Sequence, residues 1–142
     1  MATYVITPEV ALHLVRDGAA APAGHQLPAP TLLRSQLLSL LYGAVRRGEL
    51  AERDAERALD AVRALRIRLL GDRVQQATAW RIAERLGLPD TLDAEYLALT
   101  RLQADALVTL DPALAAAAEG VVPTAPVEVL TAARRPGGQG RA

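Results

Sequence analysis

The feature that most constrains this chain is the alternation of short apolar runs with longer stretches of helical periodicity. Tyr4-Val5-Ile6 is one such run, with a β-branched pair, and "ALVTL" ending at Leu110 reads as a second, buried strand. Arg66-Ile67-Arg68-Leu69 alternates polar and apolar residues, which predicts a strand with one wetter face near an edge. "GVVPTAP" reads as a last strand. Helices are expected between them. The first follows Thr7 as its cap, with Pro8 at its first position, and runs to about Val15. In "TLLRSQLLSLLYGAVRR", Thr31 to Arg47, apolar residues recur at helical spacing until Gly48 stops the run. Further helices span roughly Leu50 to Leu65, "DRVQQATAWRIAERLG" closed by Gly87, "DTLDAEYLALTRLQ" and the short "DPALAAAA". Strands alternating with helices predict an α/β domain with a mostly parallel central sheet flanked by helices. Asp17 to Pro30 carries Gly18, Pro22, Gly24, Pro28 and Pro30 and reads as a loop.

At 142 residues the chain fits one domain, expected over residues 1–130. The remainder, 131–142, "TAARRPGGQGRA", has no periodicity and is expected to be a disordered tail, the alternative being a basic RNA-contacting arm. Phenylalanine is absent, and Trp80, Tyr4, Tyr42 and Tyr96 make up the aromatic set, so the core must be aliphatic. All 16 basic residues are arginine, which fits either a GC-rich codon bias or phosphate recognition by the guanidinium fork. A net charge of zero argues against a general polyanion binder, though a local basic groove is compatible with it. Absence of cysteine excludes disulfides and thiolate zinc sites. No apolar stretch approaches the roughly 18 residues of a membrane span. The N-terminus opens directly into Thr3–Ile6, so no signal peptide and a cytoplasmic location are expected.

Ligands of parallel sheets bind at the carboxyl ends of the strands, which singles out Thr7 and Asp111, each after a strand and at the start of a helix. Gln36 lies on the side of a leucine stripe through Leu33, Leu37 and Leu40, where a polar group needs partners. Asp93 shares a helix face with Tyr96, Leu97 and Thr100 and so points inward or to a cleft. Each has an ordinary structural role open to it: Asp111 before Pro112 as a helix cap, Asp93 as a first-turn acid favoured by the dipole, Gln36 as a partner of buried backbone. Their coincidence says more than any one of them. His13 and His25 are too far apart in sequence to be proposed as a catalytic pair.

Four segments, "YVITPEVAL", "LLRSQLLSLL", "DAEYLALT" and "ALVTLDPAL", occur in the order of the PIN-domain motifs. There they correspond to an opening strand ending in Asp, a helix like "LLR-x-E-V-x-x-x-L", a "D-A-x-Y-L-A-L-A" helix and a strand ending "L-x-T-x-D". The chain therefore resembles the PIN-domain family of VapC-type toxin ribonucleases from about Tyr4 to Leu130, most specifically in the last two segments. The resemblance implies a PIN-like fold and a site of four metal-binding acids for Mg or Mn. The third and fourth acids fall on Asp93 and Asp111, and the second on Gln36. The first falls on Thr7 when Val10-Ala11-Leu12 is aligned with the family's aliphatic run; placing it on Ile6 would put Glu9 within that run. The family's hydroxyl position then becomes Glu9, either a relocated metal-binding acid or an acid favoured by the helix dipole.

The family's acids resemble a site for phosphodiester hydrolysis, in which metal activates water and steadies the leaving oxygen. Four carboxylates carry about −4, balancing two divalent cations, whereas Asp93 and Asp111 alone carry about −2, enough for one. Three expectations follow: a metal-dependent ribonuclease that is weak or relies on Glu9; a non-catalytic module binding single-stranded RNA or a protein; or a plain homodimer. The resemblance also implies an antitoxin protein as a partner.

Overall fold

The computed structural model describes residues 2–16 and 24–132. In chain order the elements are β1 (Ala2–Ile6), α1 (Pro8–Arg16), β2 (His25–Gln26), β3 (Pro28–Pro30), α2 (Leu32–Arg46), α3 (Glu52–Ala64), β4 (Arg68–Leu70), α4 (Arg73–Leu86), α5 (Leu92–Gln103), β5 (Ala106–Val108), α6 (Pro112–Ala118) and α7 (Glu128–Ala132). The strands are ordered β2-β1-β5 and β3-β4, and every pair is parallel. This is an α/β fold, as the alternation predicted.

β1 and β5 form the centre, in the register Tyr4↔Ala106, Val5↔Leu107, Ile6↔Val108. Successive side chains of a strand point to opposite faces, and both faces here are covered. Val5 and Leu107 pack into one core with Ile82 of α4, Leu97 and Leu99 of α5 and Leu114 of α6. Ile6 and Val108 pack into the other with Val10 and Leu14 of α1, Leu37 of α2, Val62 of α3 and Leu130 of α7. Asp105 locks the pair from both sides. Its N–H donates to the Thr3 carbonyl at 2.8 Å and its Oδ2 accepts from the Thr3 N–H at 2.8 Å.

The segment expected to be a loop holds two strands. Leu27 separates β2, which pairs with β1, from β3, which pairs with β4. The prolines decide that hand-over. The Leu27 carbonyl accepts from Arg68 and the Thr31 N–H donates to Leu70, so the odd-numbered residues face β4. The backbone nitrogens of Pro28 and Pro30 therefore face the β1 side, where they have no N–H to give, and pairing with β1 ends at Gln26.

β4 begins at Arg68 rather than Arg66, because Arg66 adopts a left-handed backbone at φ 58° that cannot continue an extended strand. The expected last strand reduces to a single bridge of Leu107 with Thr124, in which the Leu107 N–H donates to the Pro123 carbonyl and the Ala125 N–H donates to the Leu107 carbonyl. α7 reaches Ala132, so a helix crosses the expected domain boundary at 130; the rest of the expected tail, 133–142, lies outside the described residues, as does 17–23 of the expected loop.

The helix ends follow their local signals. The Asp72 side chain accepts from the Gln75 N–H at 2.8 Å, and Gly87, at φ 68°, closes α4 in a conformation that suits glycine. α3 carries Glu52 and Asp54 in its first turn and Arg63 in its last, matching its dipole. Among the described residues no helix is long and apolar enough to cross a membrane.

Candidate functional site

At the carboxyl ends of β1 and β5 the strands diverge into α1 and α6 and open a cleft of about 480 Å³. Thr7, Glu9, Gln36, Asp93 and Asp111, the five positions singled out in the sequence, all line it. They arrive from different elements: Thr7 from the end of β1, Glu9 from α1, Gln36 from α2, Asp93 from α5 and Asp111 from the start of α6.

Thr7 is 2% exposed, and its Oγ1 is buried without a hydrogen-bond partner. The expected side-chain cap is thus not made; only its carbonyl serves α1, accepting from the Ala11 N–H at 3.0 Å. A buried hydroxyl left unpaired is costly and uncommon. Glu9 stands exposed at the rim.

α2 presents two adjacent faces. Leu33, Leu37 and Leu41 form the buried stripe, so the inward row runs through Leu41, while Leu40, expected in the stripe, is 40% exposed. Gln36, Ser39, Leu40, Gly43 and Arg47 follow one another at helical spacing along the flank and face the cleft. Gln36 needs a partner and has one: the Tyr96 hydroxyl donates to Gln36 Oε1 at 2.6 Å. Burial, aided by Glu9, Glu95 and Asp93, raises the Tyr96 phenol far above its ordinary range, so it stays protonated and keeps donating.

Asp111 does cap α6. Its Oδ1 accepts from the Ala113 N–H at 2.9 Å, and its own N–H donates to Thr109 Oγ1 at 3.0 Å. One carboxylate oxygen is thereby engaged and the residue still lines the cleft, so the structural and the functional reading of Asp111 coexist. Asp93 has its carboxyl raised above the ordinary range, first by burial and then by the negative charges of Asp111, Asp90 and Glu9. Asp93 therefore feels the negative charge of the other acids.

Three polar lining residues were not proposed as site members from the sequence: Tyr96, Ser39 and Arg47. Their signal was spacing. Tyr96 lies three residues after Asp93, and Ser39 three after Gln36. Arg47 is the cation among the residues lining the cleft, and its Nε and Nη2 hold Glu49 at 2.9 and 3.1 Å on the surface.

The donor atoms facing the cleft are oxygens, the hard ligands that suit Mg²⁺ or Mn²⁺. Among the described residues, however, no three His, Cys, Asp or Glu side chains group closely enough to hold a metal ion. The arrangement offers a pair of acids and an unpaired hydroxyl, with Glu9 contributing charge from the rim.

No family model matches the chain, and no curated protein matches it. Among solved structures it is similar to the crystal structure of PAE2754 from Pyrobaculum aerophilum, with a TM-score of 0.74 and 22% sequence identity, covering 93% of this chain and 95% of that one. At that identity the two share a fold across nearly their whole lengths.

Proposed function

We propose that this chain is a PIN-like domain of the VapC-type ribonuclease architecture, with a metal site reduced to the Asp93–Asp111 pair and RNA hydrolysis weak or lost. The observation that carries this reading is the convergence of Thr7, Gln36, Asp93 and Asp111, from separate elements, on one cleft at the carboxyl edge of the sheet. Asp93 and the free oxygen of Asp111 would hold one Mg²⁺ or Mn²⁺, completed by water and a substrate phosphate. Such an ion supplies activated water and neutralises charge on a leaving oxygen. The protein's own residues bind and orient. Arg47 presents a guanidinium whose surface pair with Glu49 is a weak competitor for a phosphate. Tyr96 holds Gln36 in place.

Calorimetric titration with Mn²⁺ tests this reading. Wild type should bind about one ion weakly, and Asp93→Asn should bind none. Binding indifferent to Asp93→Asn would overturn it.

A second reading, a non-catalytic module that works as a homodimer, is favoured by one observation. Leu38 and Tyr42, one turn apart on α2, are 57% and 66% exposed. Neighbouring exposed apolar side chains of this size mark contact surfaces. Sedimentation across working concentrations would show a dimer for wild type and a monomer for Leu38→Ser with Tyr42→Ser; a wild-type monomer throughout removes this reading.

A further inference from the structure

The carboxyl edge of the sheet carries a second concavity beside the acidic cleft. It has a volume of about 580 Å³, within the roughly 300–1,000 Å³ of small-ligand sites. It forms at Thr31 and Gly71, one residue past the ends of β3 and β4, where the Thr31 N–H donates to the Leu70 carbonyl at 3.3 Å. Because the strands run parallel, both concavities open at the same edge. Two helices wall both of them. On α5, Asp93 lines the acidic cleft and Glu95 the second concavity; on α2, Gln36 lines the first, while Thr31 at the α2 N-terminus and Leu32 line the second.

The second concavity differs in chemistry. Trp80, the single tryptophan of the chain, lines it while remaining 67% exposed. Around it stand the amides of Gln75 and Gln76, the hydroxyls of Thr31 and Thr91 and the Glu95 carboxyl. Gln75 is 3% exposed, so its amide belongs to the floor rather than to the surface. A large indole placed in water beside buried and half-buried polar groups serves no core. An indole face stacks on any nucleobase, and amides and hydroxyls pair with the mixed donors and acceptors of a base edge.

We infer that this concavity is a nucleobase subsite, in which Trp80 stacks on one base of a single-stranded RNA that also runs through the acidic cleft. The inference rests on the RNA reading of that cleft. It adds how a strand would be held when the metal site is depleted, since stacking needs no cation.

Trp80 reports on its own site. Its emission should be quenched, saturably, by a short single-stranded RNA in EDTA, and left unchanged by an abasic strand of the same length. By anisotropy of the labelled RNA, Trp80→Ala should weaken binding about tenfold, in line with the loss of one stack. Trp80→Phe should recover part of that loss. Val74→Ser, on the same helix but outside the concavity, should bind as wild type does. RNA that binds without changing Trp80 emission, and binds Trp80→Ala equally well, overturns the subsite and leaves the RNA reading of the cleft standing. Quenching by the abasic strand overturns base recognition. No RNA binding by either measurement overturns both. A shift of Trp80 emission with protein concentration alone, insensitive to RNA, would assign the indole to a protein contact instead.

Discussion

The body of the β1–β5 pair and its carboxyl end lie next to each other in the chain and obey opposite rules. In the body, Val5, Ile6, Leu107 and Val108 are wholly buried, each packed into a core, and the backbone ladder is shared on both edges of β5. One residue past Ile6 the pattern breaks. Thr7 is as buried as its neighbours but leaves its hydroxyl unpaired, and in the cleft beyond it burial and neighbouring negative charges raise the proton affinity of Asp93. Where packing, pattern and polar satisfaction agree, the residues specify the fold; where they conflict within a cleft, the conflict marks a site.

The largest expected effect belongs to the body. Leu107→Ala, at a wholly buried position between two layers of helices, should cost about 2–5 kcal/mol in urea denaturation, because little around it can collapse. A cost near zero would show that the centre of the sheet is not the tight core described.

At the carboxyl end, restoring acids should behave in the opposite way to repairing a core. Thr7→Asp combined with Gln36→Glu adds charges to a cleft that already holds Asp93, Asp111 and Glu9. In EDTA the double variant should lose about 3 kcal/mol, the scale of an uncompensated buried charge. Mn²⁺ or Mg²⁺ should recover it, since a ligand that binds only the folded state stabilises it. Cleavage of labelled single-stranded RNA is the companion measurement, and any activity gained should vanish on adding Asp93→Asn. Equal melts with and without metal would separate these positions into unrelated sites.

Two smaller substitutions have opposite signs. Tyr96→Phe removes the donor to Gln36 and should destabilise by about 1 kcal/mol. Thr7→Val keeps the shape and deletes an unpaired hydroxyl, so it should be neutral or stabilising by up to about 1 kcal/mol. A destabilising Thr7→Val would mean that the hydroxyl has a partner after all, most simply an ordered water.

The smallest effect is a pH dependence. The Asp93 carboxyl binds its proton more tightly in the folded chain than its ordinary value of 3.8. Between that value and the raised one the folded state holds more protons than the unfolded state, so stability falls as pH rises through this window. The penalty is complete above the window and absent below it. Thermal melts should therefore show Asp93→Asn slightly more stable than wild type at neutral pH, the difference fading as pH drops below about 3.8. A difference that grows on acidification would contradict the sign of this coupling.

The sequence by itself determined much of this protein. Its alternation of apolar runs and helical periods specified an α/β fold with a parallel sheet, because side-chain periodicity is a local property of each segment. The strand-end rule and the motif order brought Thr7, Gln36, Asp93 and Asp111 to notice before any distance was known. Only tertiary structure decided the rest. Pro28 and Pro30 read as loop residues because their missing N–H groups forbid a two-sided strand, and only the placement of β4 on their free side makes β3 a strand. Arg66 reads as strand by alternation but turns left-handed to bring the chain out of α3. The Tyr96–Gln36 bond joins residues 60 positions apart, and the second concavity is assembled from the residues that follow β3 and β4 together with α2, α4 and α5. Periodicity says which way a side chain faces along its own element; what it meets there depends on elements brought together by packing.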